Sequence, residues 1–493
     1  MRTTRIPFRF RAARAALLLV AAGLASTGCG YTRVGATDGS VGTVDDRPHG
    51  TSGTVPPVGR EASVGRQPDK SGPTRDIEPD LDTSEARRVV AVLADSSMYG
   101  RGYTHHGADR ASRFLVSEFQ SIGVRPLVDG YLQPFPLEVD LIHDVAFSMD
   151  GEPAVPGVDF IPYSGIPSAA AMSVATIDAG YGLELFAPPG SRGLERLKQK
   201  AVVVRSGLPD SLKADLPPEL GSVEAKAFGA AAHGAAALVV RSENLVFGRS
   251  HANSPIPVFE ISLAAPIPES IGFLVESVVD TMVTTANVLG YLPPNQPTSS
   301  DSLILIGAHY DHEGSIGSAY FPGANDNASG TAMLLDLARA LASSNRRLGV
   351  VFAAFSGEEE GLFGSRAFVA SPPVPLERIG LVVNLDMVAS ADDGVVVMGG
   401  IEQSDAFAAI REIGGNLDAA LGDSAGHAIR ARRVSAISDH FPFAEIGVPA
   451  LYFYTNKGRQ PYHHVRDVPA TLEWDDYAFT RELILGFLRT RLN

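Results

Sequence analysis

Six residues in the second half of this 493-residue chain carry the side chains that a hydrolytic metal centre needs: His309, Asp326, Glu358, Glu359, Asp386 and His463. Two imidazoles and three carboxylates can hold two borderline-soft divalent cations about 3.5–4 Å apart, one carboxylate bridging them and a shared water left as nucleophile. The sixth residue, Glu358, is then free to move the proton. A two-zinc hydrolase is the expectation.

Each member has a local reason. His309 closes the run LILIGAH, and Asp311 two residues on is placed to hold its other ring nitrogen. His312 reads as a bystander. Asp326 lies in GANDNASG, where glycine and asparagine permit a tight backbone path that suits a bridging carboxylate. Taken alone, Asp326 or Asn327 would be a helix N-cap. FSGEEEGLFGS puts three acids after a strand, and adjacent carboxylates repel unless cations or protons intervene. With His309 and Asp326 upstream, the economical division makes Glu359 a ligand and Glu358 the base. Asp386, ending LVVNLD, supplies a terminal carboxylate, and PYHHVRD offers either His463 or His464.

Positioning these groups falls to a regular alternation. LILIGA (303–308), VVFAAF (350–355), LVVNLDM (381–387) and ALYFY (450–454) are continuous apolar strands, and a helix passes through Met333, Leu337 and Leu341. Such strands belong to a sheet covered on both faces, where sites form outside the carboxyl ends. Upstream, Val89, Val90, Val92 and Leu93 recur at helical spacing, as do Ala111, Phe114, Leu115, Phe119 and Ile122 before Gly123. GRGYTHHG between them is a loop. Residues 141–283 differ in texture: strands AVVVR, ALVV and IPVFEIS surround a small-residue helix at 223–235, as in an inserted β-rich domain. His233 in that helix is given no site role.

In order, the motifs H-x-D, G-x-N-D-N-x-S-G, E-E-x-G-L-x-G-S, N-x-D-M, S-D-H and Y-H-x-x-x-D resemble the di-zinc aminopeptidase and glutamate carboxypeptidase family of metallopeptidases. The resemblance is strong from Leu303 to Asp467 and weak over residues 83–140. It implies a three-layer α/β/α core with a mostly parallel mixed sheet. It implies that His309 and Asp386 hold one zinc, Glu359 and His463 the other, and Asp326 both. His463, four residues before Asp467, is thereby preferred to His464. Tyr462 matches a position that can polarise the scissile carbonyl, and Ser438-Asp439-His440 a supporting or wall segment. Residues 141–283 resemble a protease-associated domain. The implied reaction is peptide hydrolysis by a hydroxide bridging two Zn2+, most simply at a free N-terminus. Carboxypeptidase or dipeptidase action, glutaminyl cyclisation and a non-catalytic receptor on the same fold are the alternatives.

Five arginines before an apolar stretch from Ala15 to Ala25 read as an export signal, and Cys29, the only cysteine, resembles a lipoprotein processing site. Ser26 departs from that pattern. The expected organisation is a signal over 1–29, a linker rich in Gly, Ser, Thr and Pro over 30–80, a first peptidase part over 81–140, the insertion at 141–283 and the catalytic domain at 284–493. A lipid on Cys29 would give membrane contact, and the cell envelope is the expected location. With 41 basic against 56 acidic residues and a net charge of −15, nucleic acid is excluded as main partner, and peptides or proteins are the expected substrates.

Overall fold

The computed structural model of the chain describes residues 81–248, 253–297, 300–390, 394–423, 426–455 and 461–492. The signal, Cys29 and the linker lie outside the described residues. Two helices open the described part. Helix α1 (Ser84–Leu93) buries Ala86, Val89, Val90 and Leu93, the i, i+3, i+4, i+7 stripe of an amphipathic helix. Helix α2 (Gly107–Ile122) buries Ala111, Leu115 and Phe119 and stops at Gly123, whose φ of 83° is the left-handed cap that glycine adopts without strain. Between them, residues 96–106 form short 3-10 turns.

The chain then enters β1 (Leu132–Met149), followed by β2 (Ala169–Asp178), β3 (Ala201–Arg205), α3 (Val223–Ala232), β4 (Ala237–Ser242) and β5 (Val258–Ser262). It returns along β6 (Ser270–Leu292), which pairs antiparallel with β1 from Leu132↔Val288 to Met149↔Ile271, with two register shifts. Residues 141 and 283 therefore fall inside paired strands. The ribbon passes from one lobe to the other without a linker. Strands β2 to β5 run parallel, with β2 joined to β6, and bury their own core, including Val202, Val239, Phe259 and Phe273. By contact density Pro79–Asn493 is one compact unit.

The remaining elements alternate: β7 (Leu303–His309), α4 (Gly330–Ala342), β8 (Gly349–Phe355), α5 (Phe363–Ala370), β9 (Ile379–Leu385), β10 (Val395–Met398), α6 (Ser404–Leu421), β11 (Ile429–Arg432), β12 (Ala450–Thr455) and α7 (Trp474–Leu492). The sheet order is β11-β10-β12-β9-β7-β8-β6 and continues into β2-β3-β4-β5. Strand β7 is parallel to both β8 and β9, and β12 is parallel to β9, whereas β10 and β6 run antiparallel to β12 and β8. This is a mixed, mostly parallel sheet, as expected. Successive side chains leave opposite faces. Ile304, Ile306, Val350 and Phe352 therefore meet α1, α2, α4 and α7, while Leu303, Leu305, Val351 and Phe355 meet Phe368 and Phe443 on the other side. Each large apolar side chain so buried stabilises by about 1.5–3 kcal/mol.

Chain order reverses at β7, since β8 lies on one side of it and β9 on the other. A reversal opens a crevice at the carboxyl ends of the strands. His309 ends β7, Glu358 and Glu359 follow β8, and Asp386 follows β9.

Candidate metal centre

The turn between β7 and α4 carries Asp326. It is a π-type turn over Ala324–Ser329, and α4 begins directly after it at Gly330. The Asp326–Asn327 peptide is cis. Asp467 grips the turn, its carboxylate accepting from the backbone N–H of Asn325 (3.0 and 3.1 Å) and of Asp326 (3.0 Å). Asn327 holds the following strand: its Oδ1 accepts from Gly330 N (2.9 Å) and Met387 N (3.1 Å), and its Nδ2 donates to Leu385 O (3.0 Å).

Held in this way, the two carboxylate oxygens of Asp326 face different partners. Oδ1 lies 3.5 Å from His309 Nε2, which is also 3.4 Å from Asp386 Oδ1. Oδ2 lies 3.1 Å from His463 Nε2, which is also 3.1 Å from Glu359 Oε2. All five side chains are buried. Asp386 is fixed by Ser438, whose hydroxyl donates to Oδ2 (2.8 Å) and accepts from Asn384 Nδ2 (2.8 Å). This is what the S-D-H segment does for the cluster.

Supports of the two histidines differ from expectation. Nδ1 of His309 lies 3.2 Å from the main-chain oxygen of Asp311, whereas the Asp311 carboxylate is 3.8 Å away. That carboxylate accepts instead from Glu358 N (3.3 Å) and Tyr103 Oη (3.4 Å), and burial pushes it up to about 6. Nδ1 of His463 is 2.9 Å from Phe247 O and 2.9 Å from Glu313 Oε1, so residues 141–283 reach the cluster. His312 is no bystander: its Nδ1 lies 2.8 Å from Glu359 Oε1. His464 is partly exposed and its Nδ1 accepts from Arg466 N (3.0 Å).

The electrostatics follow from packing so many acids together. Burial works against a charged imidazole, yet Glu358, Asp386 and Asp326 hold His309 well above its usual value. Glu358 is itself pushed well above the carboxylate range, by burial first and then by Glu359, Asp386 and Asp439, against the opposing pull of His309. Burial would raise Glu359 too, but His463 and His312 hold it well below. Tyr462 is 46% exposed and stacks on the His463 imidazole with ring centroids 3.7 Å apart.

The donor set fits zinc. Asp326 Oδ2, Asp386 Oδ1 and His463 Nε2 are buried without a hydrogen-bond partner. Buried polar atoms are nearly always paired, so atoms of ligand type converging unpaired call for a cation. Nitrogen and carboxylate donors suit Zn2+. Residues missed from the sequence are His312 and Glu313, the Phe247 carbonyl, and Arg101 and Tyr103 of the GRGYTHHG loop. For His312 the signal was present, between the carboxylates of Asp311 and Glu313 and three residues from His309. For the others, distant in sequence or bound through main chain, spacing carried none.

Comparison with known proteins adds a family to this geometry. Residues 287–488 match Peptidase family M28. A probable lipoprotein aminopeptidase of Mycobacterium tuberculosis, LpqL, is 34% identical over 179 residues, 34% of this chain and 34% of that protein. Aminopeptidase YwaD of Bacillus subtilis is 37% identical over 112 residues, 22% of this chain and 23% of that protein. The matched stretches thus span about a quarter to a third of these relatives. Among solved structures, BSAP, a zinc aminopeptidase from Bacillus subtilis, superposes with a TM-score of 0.62 at 21% identity over 85% of this chain and 97% of that one. An aminopeptidase from Aneurinibacillus sp. strain AM-1 gives 0.57 at 19% identity over 84% and 94%. At these identities the likeness concerns the fold.

Proposed function

From the match of residues 287–488 to Peptidase family M28 we propose that the chain is a two-zinc aminopeptidase of that family. The observation that carries this reading is the divided carboxylate of Asp326, one oxygen 3.5 Å from His309 and the other 3.1 Å from His463. His309 and Asp386 would hold one ion, His463 and Glu359 the other, and Asp326 both. Two zinc ions there would make a shared water acidic near neutral pH and polarise an amide carbonyl.

The residues then have separate tasks. Glu358, whose carboxyl favours the proton, accepts it from the attacking water and delivers it to the leaving amine. Its backbone is held by Asp311, which also supplies the oxygen behind His309. Tyr462, exposed beside His463, is placed to donate to the oxyanion. Ser438 keeps Asp386 turned towards His309.

The names of the relatives support action on free N-termini, and LpqL, a probable lipoprotein aminopeptidase, supports the export and Cys29 lipidation read from the N-terminus. Residues 141–283 are read as a protease-associated-like insertion. Among the described residues no helix is long and apolar enough to cross a membrane. Aminoacyl chromogenic substrates and their N-acetylated counterparts, with and without a zinc chelator, test the reading. Unblocked substrates should be hydrolysed and the chelator should abolish it. Cleavage of blocked peptides alone would point to carboxypeptidase action, and none of either to a receptor.

A further inference from the structure

Arg101 is the largest fully buried side chain in the described residues. All five hydrogen bonds of its guanidinium go to main-chain carbonyls: Nε to Tyr310 O (2.8 Å), Nη1 to Leu93 O (2.9 Å) and Pro322 O (2.6 Å), Nη2 to Gly323 O (2.8 Å) and Asp326 O (3.3 Å). Three of these five oxygens belong to the segment Pro322–Asp326, which leads into and forms the start of the turn that carries Asp326. A fourth belongs to Tyr310, next to His309. One rigid fork therefore spans the strand end that presents one histidine and the turn that presents the shared carboxylate.

The same turn is held from its other side by opposite charge. Asp467 takes the N–H groups of Asn325 and Asp326, while Arg101 takes carbonyls of Pro322, Gly323 and Asp326. Both ends of the peptide dipoles are thereby fixed, which leaves the Asp326 backbone little freedom. The approach is close enough to require the glycines beside the arginine. A Cβ on Gly100 would lie 2.2 Å from Gly314 O, one on Gly102 2.5 Å from Gly314 Cα, and one on Gly323 2.6 Å from Arg101 Nη2. Burial pulls the guanidinium down to about 10, opposed by Asp326 and Asp467, so it keeps its charge at neutral pH.

We propose that Arg101 is a positioning residue that preorganises the Asp326 turn, so that the centre's geometry exists before metal enters and zinc affinity depends on it. This rests on the two-zinc reading above. Arg346 provides the internal control. It is also buried and also bonds carbonyls, those of Leu341, Ala342, Ser344 and Pro293, but it sits beyond the far end of α4. A structural role alone would make the two arginines equivalent.

The experiment measures zinc dissociation by chelator competition on the full chain for wild type, Arg101→Lys and Arg346→Lys, with thermal midpoints of the metal-free forms. Lysine keeps the charge but cannot span both segments. At least tenfold weaker zinc binding is expected for Arg101→Lys, and a change under twofold for Arg346→Lys, even where both lower the midpoint. Equal zinc affinity in wild type and Arg101→Lys overturns the inference, as does a loss that Arg346→Lys shares. Should Arg101→Lys fail to fold, amide exchange on metal-free wild type decides: the Asn325 and Asp326 amides should stay protected, and their exposure on zinc removal would contradict preorganisation. A wild type that takes up no zinc defeats the two-zinc reading itself, a separate outcome.

Discussion

At the scale of single residues, division of labour between neighbours is the sharpest consequence of the geometry. Glu359 faces His463 and His312, whereas Glu358 is partly exposed and held with its proton affinity raised, by burial first. Glu358→Gln removes the base and keeps the shape. It should retain wild-type zinc content and lose about 10²–10⁴-fold in kcat, the usual contribution of general acid-base catalysis. Full activity with zinc retained would remove Glu358 from the mechanism. The adjacent histidines offer a second contrast, since only His463 reaches Asp326 and Glu359. His463→Ala should lose zinc and hydrolysis together, while His464→Ala keeps zinc stoichiometry and stays within a few-fold of wild-type activity.

Among the elements, legibility followed burial on two faces. Strands β7, β8, β9 and β12 were readable because parallel strands buried on both sides leave unbroken apolar runs. Helix α7 was not, because it is buried almost all round and shows no one-sided stripe. Nor was α6, with Gly414 and Gly415 in its middle. Strands β1 and β6 extend past the expected boundaries at 141 and 283 because the ribbon serves both lobes. The side chains that cluster were legible since few other arrangements put those acids and imidazoles in one order. Their supports were not: a backbone carbonyl behind His309 or His463, or an arginine bonded to carbonyls, leaves no pattern of side-chain types. The turn into α4 gives a prediction at this scale. A Cβ on Gly330 would lie 2.3 Å from Asn327 Oδ1 and 2.4 Å from Leu385 O. Alanine gains about 1 kcal/mol in helix propensity, but overpacking costs about 1–3 kcal/mol or more, and here Asn327 must also move off Met387 N. Gly330→Ala should therefore lower the thermal midpoint by several degrees and weaken zinc binding. An unchanged or raised midpoint would mean the turn yields easily.

For the whole molecule, residues 141–283 and the catalytic layers share a ribbon and meet near the centre, where Phe247 and His463 are joined by a backbone hydrogen bond (3.1 Å) and a ring hydrogen bond (2.9 Å). Residues 141–283 thus touch the segment that presents His463. The central claim, that two zinc ions bridged by Asp326 make this chain an aminopeptidase, is met most directly by titrating zinc into the metal-stripped full chain while recording bound metal and hydrolysis of an unblocked aminoacyl substrate. Binding should saturate at two zinc ions per chain, and activity should appear with them. Undiminished hydrolysis after stripping, or saturation at a single ion with full activity, would contradict it.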